Sequence, residues 1–158
     1  MKINIEERVE RARNYFLKGY NCAQAVVMAF DDVMAMDVST LARLAAPFGG
    51  GMGRMREVCG TVSGMTMVAG AIEPSVDPKN MSQRQANYAL VQHFAEQFRV
   101  ENGDIVCRRL LGLEPMVERN ETAMPSQRTA EYYKKRPCGE YVACAARIVA
   151  EYLAANKA

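Results

Sequence analysis

Apolar residues recur along most of the chain at spacings of three and four, which is the period of an amphipathic helix. The clearest cases lie near the two ends of the chain: Ile5, Val9, Ala12 and Phe16, and then Val142, Ala145, Val149 and Leu153. No segment alternates apolar and polar residues as a half-buried strand does, and no repeat of fixed period is visible. The pattern therefore predicts an all-α fold, a single-domain bundle of six or seven helices over residues 1–158.

Capping residues, glycines and prolines divide this pattern into segments. Ser82 and Gln85 form a candidate capping box, with Tyr88 on the apolar face that follows. The segment Gly49-Gly50-Gly51-Met52-Gly53 cannot be a helix interior and is predicted to be a loop. The polar segment 114–126 is predicted to cross the surface. We predict helices at about 5–18, 22–36, 38–46, 54–72, 82–103, 104–111 and 137–156.

Composition narrows the classes of function. Hydrophobic residues make up 49% of the chain and charged residues 24%, and the net charge is +2. A net charge this small does not attract nucleic acid or an anionic membrane strongly. We expect the run Lys134-Lys135-Arg136 to be a solvated loop. We see no apolar run of bilayer length and no secretory signal, so we expect a cytoplasmic protein without membrane insertion. The apolar content spread over several amphipathic helices predicts a homodimer.

The five cysteines are the residues that carry candidate chemistry. An odd number without a secretory signal argues against a disulfide framework. Cys22 follows the candidate cap Asn21, Cys107 lies three residues after the candidate cap Asp104, and Cys138 follows a proline. These three cysteines therefore fall in the first turns of three helices, where the helix dipole favours a thiolate, the form that binds metals and attacks disulfides.

The other two cysteines have different settings. Cys59 follows the glycine loop by six residues, in the first or second turn of its predicted helix. Gly60 and Gly64 share one helix face, which allows another backbone or an inorganic group to approach closely. Cys144 lies six residues after Cys138, about 240° around the helix, so we interpret it as an ordinary buried thiol.

Several familiar motifs are missing from the sequence. It contains no C-x-x-C, and the cysteine spacings are too wide for a local zinc ribbon or ferredoxin loop. No lysine follows the glycines as a phosphate-binding loop requires, and no C-x-x-C-H is present, so we expect no nucleotide and no haem. The single histidine, His93, lies within a predicted helix and is interpreted as structural or solvated. A shared site for the cysteines would have to be assembled by tertiary folding.

Four segments in order resemble the redox-active C-GCAxxG-C-C family over nearly the whole chain. They are Cys22, FGGGMGRMREVCGTVSG over 48–64, GDIVCRRLLG over 103–112 and RPCGEYV over 136–142. In this chain Cys59-Gly60 reads CGxxxG where the family name reads GCAxxG, so cysteine and glycine are exchanged. The family is also similar to the cysteine-bearing domain of split-Soret cytochromes, for which an iron–sulfur centre is proposed. The resemblance implies redox activity and assigns the family cysteines to Cys22, Cys59, Cys107 and Cys138, with Cys144 outside the pattern.

Three functions follow as alternatives. In the first, these four cysteines are metal ligands of a [2Fe–2S] or [4Fe–4S] cluster that serves a redox partner protein. The face of Gly60 and Gly64 would make room for the cluster, and Gly49, Gly50 and Gly51 would supply N–H donors; a Cys₄ zinc site is the structural variant. The second function is metal-free thiol–disulfide chemistry, with Cys22 or Cys138 as the attacking thiol. The third is a helical interaction protein with buried thiols. The sequence names no substrate and leaves open whether the protein is an enzyme.

Overall fold

Nine α-helices and one short 3₁₀ helix form the computed structural model, which describes residues 2–113 and 122–156. The helices are α1 (Ile5–Leu17), α2 (Cys22–Met28), α3 (Asp31–Met34), α4 (Val38–Ala45), α5 (Gly60–Ile72), α6 (Met81–Asn102), α7 (Cys107–Leu110), α8 (Ala130–Lys135) and α9 (Cys138–Asn156), and the 3₁₀ helix is Ala46–Phe48. Within those residues there is no strand, and the only β-pairing is an isolated antiparallel bridge between Val58 and Val106. The all-α prediction is confirmed. Six of the described helices have seven or more residues.

Short polar side chains fix the starts of several helices. Asn21 caps α2 as predicted: its side chain accepts from the Gln24 N–H at 3.0 Å, and the Gln24 side chain accepts from the Asn21 N–H at 2.9 Å. The predicted Ser82–Gln85 capping box is wrong. Asn80 caps α6 instead, because its side chain accepts from the Gln83 N–H at 3.1 Å.

Two long predicted helices are shorter in the structure. The segment predicted as 22–36 divides into α2 and α3, where the buried Arg8 guanidinium bonds the Ala29 carbonyl at 2.8 Å. The Ala29 carbonyl at the end of α2 therefore accepts a hydrogen bond from a side chain instead of from a further helical turn. The helix predicted from residue 54 begins only at Gly60, because Arg54 and Arg56 have positive φ values of 65° and 61°.

The region before α9 differs from the prediction. Residues 114–121 of the predicted surface segment lie outside the described residues, and residues 122–126 are exposed and non-helical. The sequence analysis missed α8. Lys134 and Lys135 lie on this helix and are exposed, whereas Arg136 follows it and is half-buried. The solvated-loop interpretation is therefore wrong for this run as a whole.

The core is built around α2, which packs against α1, α4, α5 and α9, and α1 packs along α9. The predicted buried face of α9 is confirmed, since Val142, Ala145, Val149 and Leu153 have no exposed surface. On α6 the inward face carries Leu90, Phe94 and Phe98, one turn apart, and Tyr88 is 58% exposed rather than buried. No helix in the described ranges combines the length and the apolar character needed to span a bilayer.

Candidate functional site

The four family cysteines all lie where helices begin. Cys22, Cys107 and Cys138 are the first residues of α2, α7 and α9, so the three first-turn predictions are confirmed. Cys59 is the residue immediately before α5, one position earlier than the predicted first or second turn. Four cysteines from distant parts of the sequence therefore lie at the starts of four helices, three at the first residue and Cys59 at the cap.

These cysteines line one cavity of about 380 Å³. Cys22 and Cys138 are half-buried, and Cys59 and Cys107 are buried. Cys144 does not line the cavity: its thiol donates to Glu101 at 3.1 Å and accepts from the Asn102 amide at 3.4 Å. The structure thus brings together the four cysteines that the sequence grouped and separates the fifth.

A short pairing of two segments holds Cys59 beside Cys107. The Cys59 N–H donates to the Ile105 carbonyl at 2.8 Å, and the Cys107 N–H donates to the Glu57 carbonyl at 2.6 Å. The Asp104 carboxylate accepts from the Ile105 and Val106 N–H groups and so shapes the turn before α7, although Val106 is the residue at the cap. Backbone hydrogen bonds, rather than the helices alone, bring these two thiols together.

The glycine-rich segment forms a left-handed turn above the cavity. Five consecutive residues, Gly50 to Arg54, have φ between 57° and 72°. Glycine adopts this conformation freely, but a non-glycine residue with positive φ costs about 1–3 kcal/mol of conformational free energy. Met52 and Arg54 in the turn, and Arg56 just after it, are such residues. The turn directs the Gly50 N–H to the Cys22 sulfur and the Arg56 guanidinium to the Cys107 sulfur, which lies 3.7 Å from Nη1.

Two glycines leave room for the cysteine side chains. A Cβ at Gly60 would collide with the Cys22 sulfur, and a Cβ at Gly51 would lie 2.7 Å from the Cys107 Cβ. Gly49 likewise makes room for the cap of α2, because a Cβ there would lie 2.5 Å from Asn21 Nδ2. The glycines predicted to contact a cofactor therefore accommodate the side chains that carry or position the thiols.

Gly64 lies against a neighbouring helix rather than along the cavity. A Cβ at this position would lie 2.9 Å from the Val26 Cβ and 3.2 Å from the Ala23 carbonyl oxygen, so Gly64 allows α5 to pack closely on α2. It does not line the cavity. Of the two alternatives for this helix face, Gly64 serves the approach of another backbone, whereas Gly60 faces a thiol.

Burial, and not the helix dipole, dominates the ionisation of the thiols. Burial raises the pKa of Cys22 and Cys59, and it raises the pKa of Cys138 to about 11. Each of these pKa values is raised further by neighbouring family cysteines: Cys22 and Cys107 act on both Cys59 and Cys138. The expectation that helix N-termini would produce thiolates is therefore wrong for Cys22 and Cys138 without metal, because desolvation outweighs the backbone donors.

Sequence reasoning missed the aromatic and cationic side chains of the cavity. Tyr141 lies one turn after Cys138 and donates to the Leu110 carbonyl at 3.3 Å, and its pKa is raised by burial and then by Cys59, Cys138 and Cys107. The tyrosine could have been found from its i+3 spacing to Cys138. No Asp or Glu among the described residues lines the cavity. Four arginines do: Arg54, Arg56, Arg128 and Arg136.

Arg128 lines the cavity from the segment before α8. Its guanidinium carbon lies 4.3 Å from the ring centroid of Phe16, and its N–H groups donate to the carbonyls of Phe16 at 3.2 Å and Tyr20 at 3.1 Å. It also lies 5.2 Å from the Tyr132 ring centroid. Nothing in the local sequence around Arg128 indicates this long-range contact.

The cysteines that line the cavity do not form a site for a single metal ion. Within residues 2–113 and 122–156, no group of three or more His, Cys, Asp or Glu side chains is arranged to hold a single metal ion. A mononuclear zinc site would need its sulfur ligands at about 2.3 Å from one centre. The described arrangement is that of an open, thiol-lined and arginine-lined cavity.

Comparison with known proteins places the chain in a family. The family model described as "Putative redox-active protein (C_GCAxxG_C_C)" matches residues 20–152, a span that contains all four cavity cysteines. No curated protein and no solved structure shows significant similarity to the chain. Because the match covers most of the chain and agrees with the resemblance seen in the motifs, the chain belongs to the C_GCAxxG_C_C family.

Proposed function

We propose that this protein is a redox protein in which Cys22, Cys59, Cys107 and Cys138 ligate an iron–sulfur cluster used in electron transfer or redox sensing. The observation that carries the proposal is that four family cysteines line one cavity, each from the start of a different helix. Membership of a family described as redox-active agrees with this role.

The donor set fits a cluster better than a single ion. Four cysteine thiolates are the usual ligands of [2Fe–2S] and [4Fe–4S] clusters. A cluster distributes its ligands over several iron atoms, so sulfurs around a cavity of about 380 Å³ suit it better than they suit one zinc ion. When bound, the cluster would supply one-electron redox chemistry.

The residues around the sulfurs match the needs of an anionic centre. The Gly50 N–H donates to Cys22, the Thr61 hydroxyl is hydrogen-bonded to Cys59 at 3.1 Å, and Arg56 donates to Cys107. Hydrogen bonds to the sulfurs and the net charge of the site are among the factors that set a cluster's reduction potential. These donors would stabilise thiolates that burial alone keeps protonated.

The raised pKa values count against an unassisted thiol nucleophile. At a pKa of about 11, roughly one Cys138 thiol in ten thousand is ionised at pH 7, which makes it a slow nucleophile. A metal displaces the thiol proton and removes this obstacle. The cavity is therefore better suited to ligation than to unassisted thiol attack.

Metal-free thiol–disulfide exchange is the second candidate. Cys138 is half-buried, and Arg128 and Arg136 lower its pKa against the larger effect of burial. In this function Cys138 would attack a substrate disulfide, and Cys22 would resolve the mixed disulfide, so that two thiols are oxidised and one disulfide is reduced to two thiols. The outcome of metal loading separates the two candidates.

The test is anaerobic purification and reconstitution with ferrous iron and sulfide, followed by a visible spectrum and iron, sulfide and zinc analysis. We expect charge-transfer absorption with matched iron and sulfide. Serine at position 22, 59, 107 or 138 should abolish or destabilise the chromophore, and Cys144→Ser, the matched control, should retain it. A reduced protein that takes up no iron, or a chromophore that depends equally on Cys144, would contradict the proposal.

The assembly and surroundings predicted from the sequence remain proposals. We propose a homodimer and an electron-transfer partner protein in the cytoplasm. Light scattering that gave a mass of about 17.6 kDa at all concentrations would contradict the dimer.

A further inference from the structure

We propose that the cavity binds a small anionic substrate, bearing a carboxylate or phosphate group, through Arg128 and Arg136 beside Cys138. The inference rests on the proposed function, because it assigns a substrate class to the same redox cavity. It concerns the side of the cavity formed by α8 and the start of α9.

Two of the arginines that line the cavity, Arg128 and Arg136, lie on the side formed by α8 and the start of α9, and the described lining residues include no Asp or Glu. A partly enclosed space with several guanidinium groups attracts anions strongly, because its low dielectric weakens screening.

Arg128 and Arg136 are the arginines on which the inference depends. Neither forms an ion pair within residues 2–113 and 122–156. Arg128 uses two of its five N–H donors on the carbonyls of Phe16 and Tyr20, which are neutral acceptors. The Arg136 guanidinium carbon lies 5.9 Å from the Tyr132 ring centroid, and Arg128 lies over the same ring. Both arginines therefore lie close to one aromatic side chain, and no carboxylate in the part of the chain that the structure describes pairs with them.

The position of this pair suits substrate binding. The planar guanidinium group recognises carboxylate and phosphate by paired hydrogen bonds. Contacts with Phe16, Tyr132 and two carbonyls restrain Arg128 before any ligand binds, which lowers the entropic cost of recognition. Both arginines line the same cavity as Cys138, the half-buried thiol, so an anion held there would lie at the redox centre.

The test is isothermal titration of the reduced full-length protein, without metal and after cluster loading, with inorganic phosphate and with malonate at constant ionic strength. We expect saturable binding of at least one probe in both forms. Arg136→Gln should weaken it at least tenfold, equal to about 1.4 kcal/mol, with Arg136→Lys intermediate. The matched control is Lys134→Gln, which removes the same charge from an exposed position of α8 and should bind as the unaltered protein does.

Each outcome has a definite meaning. No saturable binding to the metal-free protein, or equal weakening by Arg136→Gln and Lys134→Gln, overturns the inference. Binding that disappears when the cluster is loaded also overturns it, because the arginines would then serve only to balance the cluster. Saturable, Arg136-dependent binding in a protein that takes up no iron would support the anion site and contradict only the iron–sulfur proposal. Arg128→Gln also removes packing on Phe16, so Arg136→Gln is the deciding variant.

Discussion

Replacing Gly60 by alanine would place a methyl group where the structure holds the Cys22 thiol. The added Cβ would collide with the sulfur and would lie 2.9 Å from the Phe48 carbonyl oxygen and 3.2 Å from the Ala23 nitrogen. Two of these three atoms belong to the backbone and cannot move without shifting α2 or the 3₁₀ helix. The substitution therefore tests directly whether the thiol and the start of α5 are packed as described.

Two opposing effects set the change in the free energy of unfolding that Gly60→Ala causes. Alanine stabilises a helix relative to glycine by about 0.5–1 kcal/mol. Overpacking costs about 1–3 kcal/mol, and the fixed backbone neighbours favour the upper part of that range. We expect a net loss of about 1–2 kcal/mol in the free energy of unfolding. For a chain of this size, that loss lowers Tm by roughly 2–8 °C.

The assay is urea unfolding of the reduced, metal-free protein, followed by circular dichroism. The control is Gly70→Ala in the same helix, where an added Cβ has no neighbour within 4 Å and the residue is exposed. Gly70→Ala should be neutral or stabilising by up to about 1 kcal/mol. If Gly60→Ala unfolded at the same urea concentration as Gly70→Ala, the close approach of Cys22 to α5 would be refuted.

Three further predictions address charge and thiols. The buried Arg8 guanidinium pairs with the Asp32 carboxylate at 2.6 and 2.5 Å and holds the pKa of that carboxyl below its usual range. The pair therefore stabilises the fold above about pH 4, and this stabilisation is lost as the pH falls further. Asp32→Asn should cost about 2–4 kcal/mol at pH 7 and reduce the loss of stability between pH 4 and 2 in urea unfolding; an unchanged acid profile would contradict the assignment. Cys144→Ser should change stability by less than about 1 kcal/mol and leave metal uptake intact, as iron analysis would show. Burial raises the pKa of Cys138 and of Cys144 to about 11, whereas thiols of the unfolded chain ionise near 8.5. The free energy of unfolding of the metal-free protein should therefore fall between about pH 9 and 11. A flat profile over this range would show that the thiols are not desolvated.

Local sequence was sufficient to predict where three thiols lie along their helices. Asn21 caps α2 and so fixes Cys22 at its first residue, and Cys138 begins α9 after Pro137. The rotation between Cys138 and Cys144 along α9 correctly separated these two thiols. Such features depend on side chains within a few residues of each other, which is the range that periodicity and capping describe.

Other features depend on contacts that local sequence does not record. The glycine run excluded a helix but did not reveal a left-handed turn, because Met52, Arg54 and Arg56 adopt positive φ only under hydrogen bonds such as Arg56 N–H to the Gly50 carbonyl at 3.0 Å. The ionisation of Cys22 and Cys138 was predicted in the wrong direction, because burial is a property of the assembled fold. Arg128 reaches Phe16 across 112 positions of sequence, so no local pattern could assign it to the cavity.

Because the cavity cysteines are widely separated in sequence, ligation of the proposed cluster would depend on folding. Cys22 and Cys138 lie at opposite ends of the chain, and the site exists only when α2 and α9 pack together. The unfolded chain has no comparable set of preorganised ligands, so a bound cluster would stabilise the native state by mass action. Gly60→Ala and Gly64→Ala distinguish fold stability from site geometry. Both disturb the packing of α5 on α2, but only Gly60 contacts a cavity thiol. The two variants could lose the same stability while only Gly60→Ala loses iron uptake. That result would show that the cavity needs the space beside Gly60 for a reason other than the stability of the fold.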